Sequence, residues 1–146
     1  MAGLVGGVGT EPGGGDRMSQ VLTAQALHAI YAPAWEAAPG SIPVRNGWSL
    51  AWHNACGVFV WQRTIAGIYE CSAEQSTADV ANTCRVAAED WLLNNHYYGV
   101  IAMMDSEGYR LYDLSYGELY STIGKGPTIH HALAEAVVEV ARSNRR

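Results

Sequence analysis

The stretch GKGPTIHHALAEAVVEVAR, Gly124 to Arg142, decides how the second half of this chain is built. Two glycines bracket a lysine and a Pro-Thr pair follows. Apolar residues then recur at Ile129, Leu133, Ala136, Val137 and Val140. That spacing is the stripe of an amphipathic helix from about Thr128 to Ser143. Thr128 suits the cap position, and Pro127 fixes the approach. A helix start of this kind offers free backbone N–H groups beside Lys125, the one lysine of the chain. Phosphate there would gain from dipole, amides and charge together. The same residues equally describe a plain loop and cap. It is not a Walker loop, because no Ser or Thr follows the Gly-Lys pair.

Working outward, Gly99 to Met104 and Tyr109 to Leu114 flank Ser106-Glu107-Gly108. This is a hairpin signal with glycine at the left-handed turn position. Tyr116 to Ile123 reads as a loop or a short edge strand. Upstream, Ser76-Thr77-Ala78-Asp79 forms a capping box with Asp in place of Glu. It opens a helix whose face carries Val80, Cys84, Ala87, Ala88, Trp91 and Leu92, and which Asn94-Asn95 ends. Gly47 to Gly67 is a second hairpin, with Trp48, Leu50 and Trp52 alternating against polar or small residues. Cys56-Gly57 makes its turn, Val58 to Thr64 its return strand, and Ile68 to Cys71 a third short strand. A first helix starts at Ser19 and carries Val21, Leu22, Ala26, Leu27 and Ile30. Pro33 ends or kinks it, and Trp35 falls in the turn beyond. Residues 1–17 are Gly-rich and read as a flexible leader ahead of one domain over 18–146, with Met18 as an alternative start. Helices thus alternate with antiparallel pairs. The fold class is α+β, an antiparallel sheet with two to three packed helices.

The length of 146 residues allows one domain with a real core. The net charge is −5, and the basic residues form no stripe, which argues against a nucleic-acid polymer as partner. No apolar run approaches the ~20 residues needed to span a bilayer. Three cysteines without CxxC spacing, and no secretory signal, fit a reducing cytoplasmic setting with free thiols. Eight Tyr and five Trp stand against one Phe, so many rings carry polar tips. Phe59 and Trp61 share one strand face while Val58 and Val60 take the other. The rings are divided among core, subunit interface and ligand platform, and a sheet apolar on both faces favours a homo-oligomer.

Catalytic chemistry is weakly signalled. His130 and His131 are adjacent on a helix and point about 100° apart, so they cannot ligate one metal from one face. No metal or cofactor is expected. Glu89, Asp90, Asp105 and Glu107 sit where helix faces and turns ordinarily place acids. Asp113 stands on an otherwise apolar strand, where it can bond a tyrosine or line a pocket. Ser115 lacks a nucleophile-elbow context, and Cys84 lies on a buried face.

Tyr109 to Leu114, then Gly124 to Thr128, then the Ala-rich run Ala132 to Val140 resemble small phage and prophage proteins of the ABA-sandwich type. The resemblance spans about the last third of the chain. It implies helix–sheet–helix layering and a phage accessory role. Some such oligomers hold nucleotide immune signals away from host defence effectors. Three functions follow. The first is a non-catalytic binder of a small anion, such as a nucleotide. Lys125, the Gly124 and Gly126 amides and Thr128 would hold phosphate. Arg110 or Arg63 would add charge, and Tyr112, Tyr116 or Trp61 would stack on a base. The second is a homo-oligomeric interaction module. The third, ranked last, is a small hydrolase-type enzyme using His131 or Asp113.

Overall fold

Thr23 opens the first described helix by accepting the Ala26 amide on its hydroxyl at 3.0 Å. The computed structural model describes residues 22–95, 100–113 and 121–144. The expected leader, the expected cap at Ser19, and Tyr116 lie outside these. Helix α1, Ala24–Ala37, runs on past Pro33. Pro33 is exposed and removes only one amide. Tyr31 and Ala34 on either side of it are almost fully buried, and that burial outweighs the lost bond. Trp35 therefore lies on the helix and not in a turn beyond it.

A 3₁₀ turn, Pro39–Ser41, leads into four antiparallel strands. These are β1 Val44–Arg45, β2 Trp48–His53, β3 Val58–Ile65 and β4 Ile68–Cys71, in that spatial order. The register places Trp52 opposite Phe59 and Leu50 opposite Trp61. These four rings and side chains thus share one face, as their alternation requires. His28 from α1 stacks on Trp52, with centroids 4.8 Å apart, and Trp35 meets Phe59 edge-on.

Helix α2, Thr77–Asn95, begins where Ser76 caps the Asp79 amide. It buries Val80, Cys84, Ala88 and Leu92. Strands β5 Val100–Asp105, β6 Gly108–Asp113 and β7 Ser121–Gly126 then form a second antiparallel sheet in the order β5-β6-β7. Gly108 sits at φ 122°, and a Cβ there would lie 2.5 Å from the Gly126 carbonyl oxygen, so the turn admits only glycine. Helix α3, Ile129–Asn144, closes the described chain.

The class is α+β, as the alternation of elements implies. Among the described residues the strands divide into two sheets, where one was expected. Of the helices, α1 contacts β3 of the first sheet, and α3 covers the second. Helix α3 packs on β6 and β7 and against both α1 and α2. Ala132, Leu133, Ala134, Ala136, Val137, Val140 and Ala141 are buried, so apolar contact nearly encircles the helix. Its many alanines allow that close approach on several sides. Among the described residues, no helix is long and apolar enough to cross a membrane.

Candidate functional site

The Gly-Lys-Gly element is strand, not loop. Gly124 pairs with Leu111, Lys125 with Arg110 and Gly126 with Tyr109. The glycines exist for helix packing. A Cβ on Gly124 would overlap the Ala132 carbonyl oxygen and lie 2.8 Å from the Ala136 amide nitrogen. One on Gly126 would overlap the His131 Cβ. Their small size lets α3 lie directly on β7. Thr128 caps α3. Its hydroxyl oxygen accepts the His131 amide at 3.3 Å and sits 2.8 Å from His131 Nδ1. These three residues thus serve packing and capping, and the expected phosphate cradle of Gly124, Gly126 and Thr128 is not what the geometry builds. Thr128→Ala should lower stability by about 1 kcal/mol, read as a shift in the urea midpoint at constant slope.

Lys125 is differently placed. Its amide turns outward to Glu135 Oε1 at 3.1 Å, which occupies a donor on this edge strand. Its side chain is exposed, and among the described residues no carboxylate lies within ion-pair distance of the ammonium. Arg110 stands opposite on β6 and pairs with Glu107 at 3.0 Å. Both cations line a groove of about 1020 Å³ between α1, α3 and the edge of β7. They also line an adjoining cavity of about 320 Å³ with Glu107, Tyr109, Pro127 and Glu135. His131, Thr122 and Glu135 face the larger groove as well.

The other expected ligand residues are elsewhere. Trp61 and Arg63 belong to β3 in the first sheet. Trp61 is buried and covered by the Arg45 guanidinium, 4.7 Å from the ring centroid. Arg63 lies over Trp48 and bonds Glu70 at 2.7 Å. Tyr112 pairs with Thr122, past a register shift, and does not line the groove. Structure therefore joins Arg110 and Lys125 and leaves Trp61 and Arg63 in a separate sheet. Sequence reading missed the apolar wall contributed by α1, because no local pattern says which helix faces the strand edge.

A polar contact joins α1 to α3. Tyr31 on α1 meets His130 Nδ1 on α3 at 2.6 Å. Burial pushes the Tyr31 hydroxyl well above its usual range, so it stays protonated. Burial lowers His130, and Arg85 and His131 lower it further. Burial alone lowers His28 and His131. Cys84 beneath is pushed up to about 12, an inert thiol. Cys56 and Cys71 are free and exposed. His131 Nδ1 is engaged by Thr128, and no group of three or more metal-ligating side chains gathers among the described residues.

His28, His130 and His131 set an acid limit. Each has a folded pKa below 6.5, so the unfolded chain takes up protons first as pH falls. Stability is full above the unfolded value and declines below it, until the folded rings also titrate. Thermal melts should show a lower midpoint at pH 5.5 than at pH 7.5. His130→Asn keeps an acceptor for Tyr31 and should flatten part of that slope.

Comparison of the chain with protein-family models, with curated proteins and with solved structures returned no match.

Proposed function

We propose that this protein is a non-catalytic binder of a small anionic ligand, held in the groove between α1, α3 and β7. One observation carries the reading. Two cations, Arg110 and Lys125, stand opposite one another across the β6–β7 ladder on a cavity wall. Like charges directly opposed on a sheet are unfavourable. Glu107 pairs with Arg110, and Glu135 bonds the Lys125 amide without pairing its ammonium, which an anion would offset. His131 adds a ring nitrogen to the same wall. The resemblance to ABA-sandwich phage proteins would make the bound anion a nucleotide signal, sequestered in the cytoplasm and not turned over.

A melting scan tests this. At saturating concentration, sulfate, phosphate or a nucleotide should raise the midpoint by about 5 °C, an effect lost in Lys125→Ala. No rise with any anion would refute the proposal.

A second reading is a homo-oligomeric interaction module. It is favoured by Ile65 and Ile68, 53% and 65% exposed at the β3–β4 turn, and by Val44 on β1. Light scattering that finds only monomer would remove it.

A further inference from the structure

The groove is not uniformly polar, and its polarity has a direction. Along α3 it is lined by His131, Ala134, Glu135, Val138, Glu139 and Arg142. These are successive turns of one helix face, so the groove extends for about 16 Å. Gly126 lies against His131, and Gly124 lies against Ala132 and Ala136. Strand β7 and helix α3 therefore run antiparallel, and Lys125 marks the end near the start of α3. The facing wall comes from α1 and the residue ahead of its cap: Leu22, Ala26, Ala29, Ile30 and Pro33, with no charge among them. Tyr31 reaches His130 from this helix, and the groove is lined mostly by residues before Tyr31 and, on α3, by residues after His130, so α1 also runs antiparallel to α3. Its Ile30 and Pro33 thus lie toward the cationic end, and Leu22 and Ala26 toward Arg142. At the far end Arg142 is paired with Glu139 at 3.1 Å.

From this we infer that the ligand class is a single-chain amphiphile. Its carboxylate or phosphate head would sit by Lys125 and Arg110, and its aliphatic chain would lie along the α1 wall. This rests on the anion-binding reading above and narrows it. Among the described residues lining this groove the sole aromatic ring is that of His131, and Tyr109 lines only the adjoining smaller cavity, so a planar base has little to stack on along the groove itself. An aliphatic chain instead gains at every methylene laid on Ile30, Ala26, Val138 and Leu22. A peptide strand added to β7 is disfavoured, because Glu135 already occupies the Lys125 amide.

Calorimetric titration of the full chain decides it. The probes are dodecanoate and dodecyl phosphate below their micelle concentrations, beside butyrate, dodecanol, inorganic phosphate and a nucleotide monophosphate. Dodecanoate should bind roughly tenfold or more tighter than butyrate. Ala29→Trp, at an exposed position on the wall, should abolish that chain-length dependence while leaving the response to phosphate. Lys125→Ala should weaken dodecanoate toward dodecanol. Equal binding of dodecanoate and butyrate, or a nucleotide that outranks both, would overturn the amphiphile assignment and leave the anion site standing. Dodecanol binding as well as dodecanoate would overturn the role of the head group. Silence from every probe would remove both readings together.

Discussion

Gly124→Val should destabilise the protein by about 3 kcal/mol or more, lowering the melting midpoint by roughly 10 °C. The cause is steric and lies in backbone. Even a methyl at this position would overlap the Ala132 carbonyl oxygen and press on the Ala136 amide nitrogen. Neither can rotate aside, so α3 would have to lift from β7. That helix is shared by both other helices and by the second sheet, so the displacement spreads. Gly57→Ala is the control. Its φ of 69° strains any side chain, but nothing lies within 4 Å of its Cβ. It should cost only about 1 kcal/mol. Comparable effects at the two positions in chemical denaturation would contradict the close-packing account.

Tyr31→Ala should cost about 4 kcal/mol. Tyr31 is 1% exposed, among the largest of the fully buried side chains, and it ties α1 to α3 through His130. Removing the ring leaves a cavity and strips His130 Nδ1 of its partner. Tyr31→Phe separates these contributions. It keeps the volume and should cost about 1–3 kcal/mol, the penalty of leaving the half-buried His130 ring nitrogen without its partner. The double variant Tyr31→Phe with His130→Phe should recover part of that loss, since both polar partners are then gone. If Tyr31→Phe is as stable as the parent protein, the hydrogen bond contributes nothing and the contact is only packing.

Several elements were legible from local chemistry. The Ser76–Asp79 cap, the period-two Trp48, Leu50 and Trp52, and the Val80 to Leu92 stripe depend on neighbours three or four residues away. So does the turn at Gly108. The misreadings share another origin. Pro33 looks like a stop, but a helix end is set by what Tyr31, Ala34 and Trp35 bury against, not by one missing amide. Gly124 and Gly126 look like a loop because glycine weakens isolated strands, whereas here the missing Cβ makes room for a helix. The groove was only half visible. Lys125 stood out as the single lysine, but its partner Arg110 is fifteen positions away in the chain, brought opposite by strand register.

By itself the order of residues determined the α+β alternation, the positions of the turns and caps, and the apolar stripes, because these follow from backbone sterics and local periodicity. Folding decided the division of strands into two sheets, the enclosure of α3, and the meeting of Lys125 with Arg110 beside the α1 wall. Those depend on which surfaces exclude water from one another, and segments far apart in the chain settle that jointly.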